Sequence, residues 1–66
     1  MFKEYYVIRA THKLSEVVDK GSIGTILMVF DNPSLAYEVE FVNADGETLE
    51  LLTVESTEIE IIKAFT

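Results

Sequence analysis

The chain has 66 residues and a formal net charge of −7, with 12 carboxylates against 5 Lys and Arg side chains. A chain of this length forms one domain, residues 1–66, and its 48% of hydrophobic residues is enough to build one compact core. Because the chain has no cysteine, neither a disulfide framework nor a thiolate metal site is available to it.

The charge of the chain bears on its partners. A surface with this excess of carboxylates repels phosphate backbones, which argues against nucleic acid. It favours a basic protein as partner, and it also helps to keep a small domain soluble. No apolar stretch reaches the roughly 18 residues of a membrane span, and no apolar run of signal-peptide length stands at the N-terminus. We therefore expect a cytoplasmic protein with no membrane partner.

The N-terminal part of the chain predicts a strand followed by a long loop. Residues 5–10 are rich in aromatic and β-branched side chains, which favour a strand. Residues 11–20 are polar, with Leu14, Val17 and Val18 at a spacing that permits one helical turn. Because this segment is short and runs into a glycine, we favour a loop that tucks Leu14 and Val18 into the core.

Two glycines precede the second predicted strand, residues 25–30. Gly21 and Gly24 lie three residues apart, which predicts either a turn with positive φ or a close approach of two backbones. A phosphate-binding loop is disfavoured because neither a Lys-Ser/Thr pair nor a helical pattern follows Gly24. The apolar run of the strand indicates that both of its faces are covered or that a bulge switches face partway.

The clearest strand pattern covers residues 36–42, which follow a predicted turn at residues 31–34. Apolar side chains alternate with two carboxylates, and a period of two places Glu38 and Glu40 on the solvent face. The side chains expected on the core face are those of Tyr37, Val39 and Phe41.

A tight hairpin and a fourth strand come next. The Asp-Gly pair within residues 43–47 predicts the hairpin, and residues 48–54 predict the strand. We expect Glu50 to point outward. The expected inward side chains are those of Leu49 and Leu51. Because Leu52 and Val54 have the opposite parity, either a bulge or an apolar outer patch is predicted.

The C-terminal segment completes a set of five predicted strands, and this number of strands predicts the fold. Residues 55–58 are polar and suit a single 3₁₀ turn, and residues 59–65 predict the fifth strand. Five short strands with a long loop after the first predict an all-β fold, a small SH3-like barrel formed from one strongly bent antiparallel sheet. A flat sheet would leave one apolar face uncovered, since no long helix is predicted. An OB-like barrel is the alternative.

Several motifs together extend over nearly the whole chain. They are Val7-Ile8, Leu14, Gly21-x-x-Gly-Thr-Ile, Tyr37-Glu-Val-Glu-Phe-Val, Asp45-Gly46 and Leu52-Thr53-Val54. With these motifs the chain resembles DUF4926, a family of small bacterial proteins of unknown function. The resemblance implies an SH3-like pattern, a free-standing small protein and no catalytic residues to carry over. The chain departs from the family pattern at Lys13-Leu14-Ser15-Glu16, where a proline is usual. If that loop is a recognition element, this departure implies a different partner or a different rigidity of the loop.

Four carboxylates define the candidate partner-binding face. They are Glu38, Glu40, Glu47 and Glu50. Residues two apart on a strand point the same way at roughly 7 Å, and the last two carboxylates belong to or adjoin the neighbouring strand. The simplest interpretation is a solvated face that discourages edge pairing. An acidic partner-binding face is the functional interpretation, and acid–base catalysis or binding of a hard cation has the least support.

The remaining polar and aromatic candidates are weak. His12 is the only histidine, and because nothing supplies a nucleophile or pocket around it, we expect a solvated side chain and predict no catalytic site and no cofactor. The aromatic residues suggest a peptide groove as an alternative. Tyr37 and one N-terminal tyrosine are expected inside the core, with Phe2 and Phe65 near the strand ends.

An apolar patch is a further candidate surface. Exposed Leu27 or Met28, together with Leu52, would suit a dimer or a contact with a different protein. A homo-oligomer is therefore possible.

The leading functional hypothesis is a non-enzymatic interaction module that binds another, basic protein. In its sharper form it is an antitoxin or immunity-type inhibitor that masks a basic toxin surface. One alternative is an accessory protein that binds a metal on its carboxylate face. The other is a KOW-like nucleic-acid-associated barrel, which would need a local cluster of Arg9, Lys13 and Lys20.

Overall fold

A computed structural model describes residues 2–64, and these form one antiparallel sheet of five strands. The strands are β1 (Val7–Ala10), β2 (Ile23–Phe30), β3 (Ala36–Val42), β4 (Thr48–Val54) and β5 (Ile59–Lys63), with a 3₁₀ turn at Ser56–Glu58 before β5. Their order in the sheet is β4-β3-β2-β1-β5. The predicted all-β fold with five strands is confirmed. No helix within residues 2–64 is long and apolar enough to cross a membrane.

The predicted strand bounds agree best where the alternation is strongest. β3 and β4 have the bounds predicted for them, whereas β2 begins two residues earlier than predicted. β1 begins two residues later than predicted because the backbone of Tyr5 turns through a φ of 69°, outside the strand region. The Tyr5 amide nevertheless donates to the carbonyl of Ile26 at 2.7 Å. β5 ends at Lys63, and Phe65 lies outside the described residues.

The sheet covers its own apolar face. Ile8, Ile26 and Val39 lie on that face in three different strands and are 0% exposed, although no long helix covers them. A single sheet can bury these residues only by bending over itself. Its two edges, β4 and β5, are not paired with each other, so the sheet does not close into a hydrogen-bonded barrel. The SH3-like assignment stays a prediction.

The loop between β1 and β2 contributes to the core. Val18 is completely buried and Leu14 packs against the core, as predicted, without any helix in this segment. The loop is held by a hydrogen bond from the Leu14 amide to the Val18 carbonyl at 2.9 Å. Its last turn needs Gly21, whose φ is +89°.

Two β-bulges, one in β2 and one in β4, decide which side chains of these strands face the core, and a third register shift lies at Ile62 of β5. In β2, Leu27 is the extra residue between the pairs Ile26–Val39 and Met28–Glu38. In β4, the extra residue is Leu49, because Phe41 pairs with Glu50 while Val42 pairs with Thr48. Of the two alternatives predicted for each of these strands, the bulge is present in both.

The bulge in β4 corrects two predicted orientations. Residues directly opposite each other in an antiparallel pair share a face. Glu50 pairs with the buried Phe41 and therefore lies on the core side, not outward as predicted. Leu51 is 55% exposed, so its predicted inward orientation is wrong, while Leu52 and Val54 pack inward.

Gly24 makes the close backbone approach that its sequence context predicted. It pairs with Phe41 across β2 and β3 and is buried. A Cβ atom at this position would lie 2.6 Å from Val39 Cγ1 and 2.9 Å from the Glu40 carbonyl oxygen. Only a residue without a side chain therefore allows β3 to lie this close.

The two faces of the sheet are tested by placing a charge on each. Val39→Asp is expected to prevent folding, because it buries an unpaired carboxylate at a fully enclosed position at a cost of several kcal/mol. Leu51→Lys is the matched control and is expected to change the free energy of unfolding by about 0.5 kcal/mol or less, since Leu51 is exposed and the new charge is opposite in sign to the paired Glu40. Urea unfolding followed by circular dichroism measures both; a folded Val39→Asp variant contradicts the assigned faces.

The close approach at Gly24 is tested with Gly24→Ala. The added methyl group has to displace the Glu40 backbone as well as the Val39 side chain, so we expect a loss of about 1–3 kcal/mol in the free energy of unfolding. Thermal unfolding measures the change. An Ala variant as stable as the parent chain contradicts the close approach of β2 and β3.

Candidate partner-binding face

Two of the four predicted carboxylates lie on the outer face of the sheet. Glu38 and Glu40 alternate with the buried residues of β3 and are half-buried between the neighbouring strands. Glu38 is paired with Met28 on β2, and Glu40 is paired with Leu51 on β4. This part of the predicted face is present.

Glu40 is held in place by a neighbouring hydroxyl group. The Thr48 hydroxyl at the start of β4 donates a hydrogen bond to the Glu40 carboxylate. This bond leaves the second carboxylate oxygen of Glu40 without a contact to Thr48, so the side chain is positioned while part of its accepting capacity stays available.

Glu47 belongs to the hairpin rather than to the sheet face. Its carboxylate accepts a hydrogen bond from the Asn43 side-chain amide at 3.0 Å. The Asn43 side-chain oxygen in turn accepts from the amides of Asp45 at 2.9 Å and Glu47 at 3.0 Å. Asn43 therefore organises the whole turn, a role typical of asparagine in turns that the sequence reading did not assign to it.

Glu50 lies on the opposite side of the sheet from Glu38 and Glu40. It is half-buried on the core side, and its carboxylate accepts a hydrogen bond from the Ser15 hydroxyl at 2.6 Å. The predicted gathering of all four carboxylates on one face is therefore wrong. The physical reason is the bulge at Leu49, because the extra residue there reverses the face of every following residue of β4, beginning with Glu50.

Exposed apolar side chains accompany the two outer carboxylates. Met28 is 46% exposed and Leu51 is 55% exposed. Thr53 is also exposed and pairs with Glu38. We call the surface formed by Met28, Glu38, Glu40, Leu51 and Thr53 the β2–β4 outer face. Compared with the predicted apolar patch, Leu51 takes the place of Leu52, which packs against the core.

The charge of this surface is of one sign. The sequences of β2, β3 and β4 contain no Lys, Arg or His. Two of the cations elsewhere are held by local partners, since Arg9 pairs with Glu60 and Lys13 pairs with Asp19 at 3.0 Å. The β2–β4 outer face is thus an acidic surface without a cation in its own strands.

His12 and the acidic residues do not form a metal-binding cluster in the described part of the chain. The His12 side chain is 58% exposed, with Nε2 at 3.9 Å from the Glu58 carboxylate and Nδ1 at 3.1 Å from the Thr11 hydroxyl. No three His, Asp or Glu side chains among residues 2–64 are arranged to hold a metal ion. The separation of Glu50 from the outer carboxylates is one cause of this.

The aromatic residues are mostly used in packing. Tyr37 and Tyr6 are buried, as predicted for Tyr37 and one N-terminal tyrosine. Phe2 packs edge-to-face on Tyr37 with ring centroids 5.3 Å apart. Tyr5 is the one aromatic side chain within residues 2–64 that is largely exposed, at 64%. Residues 2–64 therefore offer too few exposed aromatic side chains to line a peptide-binding groove.

The bond between Ser15 and Glu50 links the long loop to the edge strand β4. Because the Ser15 hydroxyl oxygen also accepts from the amides of Val17 at 3.4 Å and Val18 at 3.1 Å, Ser15→Ala removes three interactions at once. A double-mutant cycle with Ser15→Ala and Glu50→Ala isolates their mutual contribution, which we expect to be about 1 kcal/mol.

The control for that cycle uses a carboxylate on the opposite face. Ser15→Ala and Glu40→Ala are expected to be additive within about 0.5 kcal/mol, because Glu40 bonds Thr48 and not the loop. Free energies of unfolding from urea titrations supply both cycles. Additivity in the Ser15–Glu50 cycle contradicts the assignment of this bond as the link between loop and strand.

Comparisons with known proteins complete this description. Neither the curated proteins nor the solved structures gave a match to the chain. The family described as "Domain of unknown function (DUF4926)" matches residues 4–61, which include β1 to β4 and the start of β5. The match covers most of the 66 residues and agrees with the resemblance seen in the sequence motifs. The chain belongs to the DUF4926 family.

Proposed function

We propose that this protein is a non-enzymatic interaction module that binds a basic protein through its β2–β4 outer face. The observation that carries the proposal is the arrangement of exposed Met28 and Leu51 beside Glu38 and Glu40, in strands that hold no cation. Met28 and Leu51 flank the two carboxylates from the strands on either side, and exposed apolar side chains bordered by polar ones are typical of contact surfaces. Carboxylates among them select a partner of opposite charge.

The two kinds of side chain have different roles in this proposal. Burial of Met28 and Leu51 supplies affinity, because apolar area leaves water when the partner docks. Glu38 and Glu40, together with the net charge of −7, attract a basic partner and orient it before contact. The Thr48 hydroxyl fixes Glu40, which reduces the side-chain entropy lost on binding.

In the sharper form of the proposal, the partner is a basic toxin and this protein is its antitoxin or immunity-type inhibitor. A small acidic protein that masks a basic active surface needs no chemistry of its own. The β2–β4 outer face, which has carboxylates and no cation in its strands, and the net charge of −7 support this version. Within residues 2–64 no cluster of carboxylates is arranged to hold a metal ion, which is compatible with an inhibitor that acts by binding alone.

The two other hypotheses have less support. A metal-binding role on the carboxylate face loses Glu50, which lies on the core side of the sheet. A nucleic-acid-binding role needs free cations close together. Arg9 and Lys20 do line one open pocket of about 360 Å³, but Glu60 lines it too and pairs with Arg9.

The proposal is tested with the product of the neighbouring gene, expressed together with this protein and purified through a tag on one of the two. We expect a basic protein that is toxic alone and co-purifies. The variant Glu38→Gln with Glu40→Gln is expected to weaken this complex about tenfold, mainly because association becomes slower. The association rate of this variant should also depend less on salt concentration. Surface plasmon resonance at several salt concentrations measures these quantities.

A charge-matched control separates this face from net charge. Glu16→Gln with Asp31→Asn removes two exposed carboxylates outside the β2–β4 outer face. This control is expected to bind within about twofold of the parent protein. Equal weakening by both double variants argues that net charge alone drives binding. A neighbour that neither co-purifies nor is basic contradicts the inhibitor version.

A further inference from the structure

The strand β4 has an unpaired side along the edge of the sheet. It pairs with β3 on one side and with no other strand in the sheet order β4-β3-β2-β1-β5. The backbone hydrogen bonds of the turns and loops within residues 2–64 do not include any residue of β4. Beyond the bulge, residues 50–54 pair with β3 without interruption, so this stretch is a regular edge. Such an edge is a template on which another extended chain can add.

The two edges of the sheet differ in how they are protected. Edge strands are commonly protected by Lys, Pro or a bulge that turns the strand away. β5 carries Lys63, and its Glu60 pairs with Arg9. β4 contains neither Lys nor Pro, and its bulge lies at Leu49, close to its first residue. The remaining length of β4 is therefore open to pairing.

The charges around β4 determine which strand it accepts. A strand added beside β4 lies about 4.8 Å from it and about 10 Å from β3, within reach of a Lys or Arg side chain. Its outward cations would lie over Leu51 and Thr53 with their charged ends near Glu40 and Glu38, because these residues are directly paired. On the core side of the edge, Glu50 accepts a hydrogen bond from Ser15 of the long loop, so the preference for cations comes from the outer face.

A second copy of the chain is the less suitable occupant. Each copy has a formal charge of −7, and pairing two β4 strands brings the carboxylates of both copies together. A basic extended segment supplies the opposite charge and leaves the same backbone bonds available. Charge complementarity thus selects among the strands that the edge can accept geometrically.

We propose that β4 receives an extended, basic segment of the partner protein as an added strand, with its Lys or Arg side chains directed towards Glu40 and Glu38. This inference rests on the proposed function and specifies how the partner is recognised. The main-chain bonds to β4 supply affinity, and Glu38 and Glu40 supply the preference for cations.

The test uses a short synthetic peptide of alternating Lys and Val as the probe, with the folded full-length protein. Its matched control is the same peptide with N-methyl groups on alternate amides of one edge, which keeps the charges and removes main-chain donors. A second control methylates the other edge. We expect one methylated peptide to bind at least about tenfold more weakly than the parent peptide, as measured by fluorescence anisotropy.

Hydrogen exchange locates the bound strand. We expect the unmodified peptide to protect amides of β4, with those of β5 unchanged. Equal binding of all three peptides, protection confined to another strand, or no binding of the unmodified peptide overturns strand addition at β4. A dimer that forms with rising concentration in sedimentation equilibrium and protects β4 also overturns the proposal, because it identifies a second copy as the occupant.

These outcomes are distinct from failure of the proposed function. That proposal depends on the neighbouring gene product and on the Glu38→Gln, Glu40→Gln variant. If that complex forms and depends on these carboxylates while the peptides show no preference for main-chain donors, the outer face is the binding surface and the edge is not. If the peptides behave as expected but the neighbour does not bind, β4 accepts basic strands from a different protein.

Discussion

The structure depends on one constraint: a single sheet has to bury its own apolar face. Ile8, Ile26, Val39 and Phe41 are fully enclosed, although the structure contains no long helix to cover them. The sheet therefore bends over itself, and the loop between β1 and β2 contributes Val18 to complete the enclosure. Gly24 permits the tight approach of β2 and β3 at the centre of this bend, because any larger residue meets the backbone of the opposite strand.

The same constraint explains the bulges of β2 and β4. Bending a sheet sharply requires an extra residue in one strand of a pair, which increases local twist and shifts the alternation of faces. Leu27 and Leu49 are these residues. Each shift turns some apolar side chains outward, and Met28 and Leu51 are exposed as a result. The apolar part of the candidate binding surface is thus a consequence of how the sheet bends to close its core.

The acidic residues divide between structure and the candidate surface. Glu50 anchors the long loop through Ser15, and Glu47 completes the hairpin through Asn43. Glu60 pairs with Arg9 on the outer side of β1 and β5. Glu38 and Glu40 lie in strands with no cation, which is why they are the carboxylates assigned to partner binding. The net charge of −7 describes the whole protein, whereas the preference for a basic partner that we propose is local to these strands.

The sequence by itself determined the number of strands, the bounds of β3 and β4, the faces of Tyr37, Val39 and Phe41, and the family. These follow from short-range signals: strict alternation, an Asp-Gly hairpin and glycines before a strand. Leu49 and Leu52 cannot both face the core in a regular strand, which indicated a bulge. The sequence did not locate it, because a bulge at any of the residues between them explains the same apolar pattern. Only the tertiary structure placed the bulge at Leu49, through the pairing of β4 with β3. That pairing turned Glu50 inward and Leu51 outward, and so decided which carboxylates share a face, since a shift of one residue reverses every side chain beyond it.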